Sequence, residues 1–138
     1  MVNLIIVSEY SRNPPVELRE ERIKIAGPLY ELDRVKALAG DDGCNLSTWT
    51  RRCTQDVNKW FDDDFEVLAD MFSSLREKDY RGSEWCTNGG RAIAACDAYL
   101  CHRVEASPST GKRVSMEYYL KFAISKTGSL LLLVSCHT

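Results

Sequence analysis

Apolar positions along this chain change period once, near residue 78. Before it they recur at helical spacing. Leu29, Leu32, Val35, Leu38 and Ala39 share one face of a first helix, which opens with Pro28 in its first turn and closes at Gly40. Trp49, Cys53, Val57 and Trp60 mark a second helix beginning near Ser47 or Thr48. Phe65, Leu68, Ala69, Phe72 and Leu75 form the stripe of a third, with Asp63 as cap and Glu66 completing a capping box. After residue 78 the period becomes two. Val114, Met116, Tyr118, Leu120, Phe122 and Ile124 point one way, and Ser115, Glu117, Tyr119, Lys121 and Ala123 the other, as in a strand with one buried face. Ala94 to Val104 predicts the strand before it. The turn at Lys126 to Ser129 returns Leu130 to His137 antiparallel. The expected fold class is therefore α+β: three N-terminal helices packed on one face of a C-terminal antiparallel sheet of three to four strands.

Residues 1–27 are broken by Asn13-Pro14-Pro15 and Gly27-Pro28. They read as an N-terminal extension, with Leu4 to Val7 a short edge strand and Arg19 to Lys24 a solvated helical turn. Residues 28–138 read as one domain, a length that buries a core unaided. The longest apolar run, Leu130 to Val134, falls far short of the ~20 residues that span a bilayer. No signal peptide is legible, so the expectation is a cytoplasmic protein without a membrane partner. The six cysteines contain no Cys-x-x-Cys pair and no zinc spacing. They are expected as free thiols, with no metal and no cofactor.

Net charge is −2, unevenly spread. Residues 1–75 hold nine basic and fourteen acidic side chains, for a net of −5. Residues 76–138 hold nine and six, for +3. A polyanion contact is expected on the basic half.

With helices on one sheet face, the other is open to chemistry. By alternation it carries Glu117, Tyr119 and Lys121 on the central strand. The last strand adds Ser135 and His137, or Cys136 if the register slips. The first strand adds its polar set, Asp97, Tyr99, Cys101 and Arg103. His102, in the apolar register, is expected in the core. Tyrosine, histidine and a cation suit RNA cleavage without metal. A base takes the 2′-hydroxyl proton, cations meet the phosphate charge, and an acid protonates the leaving 5′-oxygen. Aromatic rings can stack on an unpaired base. A plain wetted sheet face has the same inventory, so the signal is of low specificity. Ser107 to Lys112 ends like a phosphate loop but lacks its first glycine and leads into a strand. Asp62 to Asp64 is explained by a helix start, and Cys136 has no base assigned beside it.

Lys78-Asp79-Tyr80-Arg81-Gly82-Ser83, Asp97-Ala98-Tyr99, Tyr119-Leu120-Lys121 and Val134-Ser135-Cys136-His137 occur in the order and spacing of motifs in the MqsR toxins, and residues 28–137 resemble that family. The resemblance implies a RelE-like fold and ribosome-independent cleavage of mRNA with a preference for GCU-type sites. The protein would be the toxin of a toxin–antitoxin pair, with mRNA and a cognate antitoxin as partners. Tyr119 takes the place of the family's catalytic tyrosine and His137 that of a terminal functional lysine. Arg81 or Gly82 falls where a second functional lysine lies. The family's functional glutamine is replaced by Cys96. The expected catalytic set is Tyr119, His137, Arg81 and Lys121, with Tyr99, Arg103, Lys112 and Arg113 binding RNA. Two alternatives stand beside it. One is a catalytically altered relative that binds RNA or protein. The other is an unrelated α+β interaction module, such as an immunity or anti-defence protein.

Overall fold

The computed structural model of the protein describes residues 4–16, 23–107 and 109–138. The fold is α+β: three helices and a mixed, mostly antiparallel, seven-stranded sheet. Its elements are β1 (Ile5–Ile6), β2 (Lys24–Ile25), α1 (Leu32–Ala39), β3 (Leu46–Thr48), α2 (Arg51–Phe61), α3 (Phe65–Ser73), β4 (Tyr80–Thr87), β5 (Ala92–Ala106), β6 (Arg113–Ile124) and β7 (Leu131–His137). A short 3-10 turn, Glu77–Asp79, precedes β4. Strand order is β2-β4-β5-β6-β7-β3, with β1 pairing β5.

The helices are interleaved with strands rather than gathered ahead of them, and each start differs from the expected one for a local reason. The first begins at Leu32, not Pro28, because Glu31 keeps an extended backbone; the N–H groups of Leu29 and Tyr30 before it donate to the Asp97 carboxylate at 3.0–3.1 Å. The second begins at Arg51, because Leu46–Thr48 pair in parallel with Leu131–Leu133 of β7. Thr50 then caps it, accepting from the N–H of Cys53. The third is capped by Asp64 and not Asp63. Asp62 and Asp63 both adopt left-handed backbone in leaving α2, and the Asp64 side chain accepts from Glu66 and Val67.

Residues 4–16 and 23–27, expected as an extension, supply two strands. β1 is a short edge strand, as expected; it runs parallel to β5, pairing Ile5 with Ala92 and Ile6 with Ile93. It fills the slot that β6 vacates beyond Ile124. Residues 17–22, with most of the anticipated helical turn, lie outside the described residues.

The main core lies between the helices and one sheet face. Phe72, Leu68, Val57, Cys53 and Val35 from the helices meet Tyr118, Leu120, Phe122, Leu133 and Cys136 from the strands, all at most 3% exposed. Full burial of each large apolar side chain contributes about 1.5–3 kcal/mol. Phe72 packs edge-on against Phe122 at 5.1 Å. Trp60, expected in the stripe of α2, is 43% exposed, and Phe61 takes the buried place. All six cysteines are free thiols, five of them buried. No described helix is long and apolar enough to cross a membrane.

Candidate functional site

The alternation of β6 follows the expected pattern from Tyr118 to Ile124. Tyr118, Leu120, Phe122 and Ile124 lie buried against the helix side, and Tyr119 and Lys121 point the other way. Nearer the start of the strand, Val114 is 39% exposed and Met116 half-buried, since β5 and β6 run on past the helices as a two-stranded arm. A bulge decides the last strand. Phe122 pairs with Leu133, but Lys121 pairs with Ser135, so Val134 is the extra residue and the faces exchange there. Ser135 and His137 consequently join the outer face, and Cys136 is buried on the helix side.

Tyr119 and His137 are directly opposite each other. Their rings stack with centroids 5.6 Å apart and planes 28° apart. The Lys121 ammonium lies 5.6 Å from the Tyr119 ring centroid. The sheet thus brings three of the four expected catalytic side chains together. Lys121 differs from the expected open cation. It is 1% exposed and pairs with Glu84 of β4 at 2.9 Å, reaching across β5 on a face whose neighbours Cys96, Ala98 and Ala123 are small and also buried. A buried pair of this kind positions charge, and deletion of one partner costs about 3–5 kcal/mol.

Arg81, the fourth, sits at a bulge in β4 between Tyr80 and Gly82. Its guanidinium donates to the carbonyls of Lys78 and Tyr80 at 3.2 and 3.1 Å. No described contact links it to Tyr119, Lys121 or His137.

Strand β5 overturns the expected parity. Tyr99 pairs with Leu120 and Asp97 with Phe122, so the polar set Asp97, Tyr99 and Cys101 faces the helices. Tyr99 is 2% exposed, stacked on Phe122 at 5.7 Å and edge-on to Tyr80 at 5.6 Å, and its ring is closed to any base. Burial pushes its hydroxyl up to about 12. Arg103 lies on the same side, paired with Glu105 at 3.0 Å and Asp70 at 3.4 Å. The outward residues are instead Ala98, Leu100, His102 and Val104. His102, expected in the core, is exposed and faces Glu117 across the strands at 3.9 Å. Lys112 and Arg113 are exposed where the arm turns back. Ser107 and Lys112 close that turn by a backbone hydrogen bond, which makes the segment a hairpin connection.

Asp97 has a structural task. Its carboxylate accepts from Ser83 at 2.6 Å as well as from the two amides, and Ser83 bonds Tyr80 at 2.6 Å. A Cβ at Gly27 would collide with the Ser83 and Tyr80 hydroxyls, so the chain there can approach the sheet only as glycine. Burial raises the Asp97 carboxyl above its ordinary value, against the lowering effect of Ser83 and the amides. This network backs a cleft of about 820 Å³ lined by Pro28 to Asp33, Lys36, Leu75 to Glu77 and Tyr80. It is on the helix side, away from His137.

Sequence patterning missed Glu84 as the partner of Lys121 and misplaced His102. Neither is visible until the pairing of β4, β5 and β6 is known. Among the described residues no cluster of three or more His, Cys, Asp or Glu side chains forms a metal-ligand set. Comparison of the chain with protein families, curated proteins and solved structures finds no match.

Proposed function

We propose that the chain is an mRNA-cleaving toxin of a toxin–antitoxin pair. It is a ribosome-independent, metal-independent endoribonuclease with a RelE-like fold that arrests translation and growth until an antitoxin binds it. The observation that carries this reading is the Tyr119–His137 stack on an open sheet face with Lys121 behind it. His137 serves as base for the 2′-hydroxyl, a task an imidazole can perform through a ring nitrogen. Tyr119 orients that ring and offers its hydroxyl to the phosphate. Lys121, neutralised at its head by Glu84, holds Tyr119 in place and does not meet RNA directly. Phosphate contacts come from the exposed cations Arg81, Lys112 and Arg113. The order of the four short motifs that resemble those of the MqsR toxins supports the same reading.

The test is incubation of the purified protein with a defined mRNA, with and without EDTA, and mapping of the cut ends. Ends bearing 2′,3′-cyclic phosphate and 5′-hydroxyl, unchanged by EDTA, are the expected result. Cleavage abolished by EDTA defeats the metal-free mechanism. The Lys121–Glu84 pairing favours a second reading, a relative that binds RNA without cutting it, since the face then has one cation fewer. Retention of the RNA uncut selects it.

A further inference from the structure

The chain has two histidines, and both stand on the outer sheet face. His137 is on β7 and His102 on β5, with β6 between them carrying Tyr119 and Glu117. Their places are two strand spacings of about 4.8 Å apart and two residues of about 3.4 Å along, which gives a Cα separation of roughly 12 Å across one open surface. Two imidazoles rising from it can bracket a phosphodiester, each through a hydrogen bond of about 2.8 Å.

We propose that His102 is the second catalytic residue of this face, the general acid that protonates the leaving 5′-oxygen, and that Glu117 is its positioning partner. This deepens the RNA-cleavage reading and rests on it. Three features single out His102. Its ring is reachable, with the side chain 41% exposed and that of Glu117 59% exposed. Its Nδ1 faces Glu117 Oε1, which leaves Nε2 for substrate. Finally, β4 pairs with β5 only as far as Tyr99 and β7 ends opposite Tyr119, so at the level of His102 the sheet is two strands wide and a polynucleotide can lie across it. The charged group facing His102 is Glu117 from β6; Asp79 of the 3-10 turn, held by Arg76, acts on it only through its charge. An exposed pair like His102–Glu117 adds little to folding, so stability alone gives little reason for it.

The step balances as follows. His137 takes the 2′-hydroxyl proton as the 2′-oxygen forms its bond to phosphorus. The bond from phosphorus to the 5′-oxygen breaks, and its electron pair receives the proton of His102. The products are a 2′,3′-cyclic phosphate and a 5′-hydroxyl end, with His137 charged and His102 neutral until solvent restores them.

The test compares two substrates in the full-length protein: a defined RNA, and a uridine 3′-(4-nitrophenyl) phosphate whose departing oxygen needs no proton. His102→Ala should cut RNA about 100- to 10,000-fold more slowly while losing less than about tenfold on the aryl ester. His137→Ala should lose on both. Glu117→Gln should slow RNA cleavage and move the basic limb of its pH profile, which a role in folding alone would not do. His102→Gln, which keeps much of the side-chain volume, should reproduce His102→Ala. If the wild type cuts neither substrate, the RNA-cleavage reading falls and this inference with it. If the wild type cuts RNA and both His102 variants match it, His102 has no part in the reaction and the reading of the face survives. Equal losses on both substrates would remove the assignment of His102 as the acid.

Discussion

Tyr99 and Tyr119 stand on neighbouring strands, one residue short of facing each other, and their environments are opposite. Tyr99 pairs with Leu120, lies sealed against Phe122 and Tyr80, and faces the helices. Tyr119 pairs with Leu100, stacks on His137, and faces away from them. A single-residue offset in an antiparallel ladder is a change of face. Two tyrosines, each followed by a leucine and each two positions from a charged residue, Asp97 or Lys121, therefore carry a fold in one case and a candidate reaction in the other.

The largest expected effect separates them by activity. His137→Ala and Tyr119→Phe should each lower RNA cleavage by about 100- to 10,000-fold, with thermal midpoints close to the wild type. Tyr99→Phe should leave cleavage unchanged. Loss of cleavage in folded Tyr99→Phe would reverse the contrast. Next is the closed part of the outer face. Lys121→Ala removes the cation beside Glu84 and should cost about 3–5 kcal/mol in urea unfolding, with Lys121→Met costing less because its apolar stem refills the space. An Ala variant as stable as the wild type would show that the pair is not buried in solution.

On the helix side, Asp97→Ala leaves the Leu29 and Tyr30 amides and the Ser83 hydroxyl without their acceptor. It should destabilise by about 3 kcal/mol or more, measurable by denaturant titration. The smallest effect is in pH. Because burial raises the Asp97 carboxyl, the folded state binds that proton more tightly than the unfolded chain does. Its contribution is full below the ordinary value of about 3.9 and is lost as pH rises through the raised folded value. Asp97→Asn should remove this slope from the stability–pH curve. An unchanged slope would assign it to another group.

The central strand was legible because its alternation is unbroken where it crosses the core, from Tyr118 to Ile124. On β5 the same reasoning inverted the faces, since the inward set is the polar one. Asp97 is satisfied by Ser83 and two amides, Cys101 lies 3.6 Å from Ser74, and Arg103 reaches two carboxylates. The outward set is small or apolar, Ala94, Cys96, Ala98 and Leu100. Binary pattern reads the solvation of side chains one at a time, and β5 inverts it through partners up to 68 residues away in sequence. The same limit hid β3, whose three residues resemble a helix start until Leu46–Thr48 meet β7. Of the candidate site, Tyr119, Lys121 and His137 were legible from alternation and the turn before β7. Glu84 and the outward His102 were not, because both depend on strand pairing.

The bulge at Val134 also governs which insertions and deletions the end of the chain can absorb. A variant lacking Val134 would form a regular ladder that still sends His137 outward and Cys136 inward, at the loss of the carbonyl that accepts from Thr50 at the start of α2. An unbroken ladder that keeps Val134 would do the reverse, exposing a thiol and sinking the imidazole among Cys53 and Val57. Length at this point therefore works as a parity bit for the terminal strand.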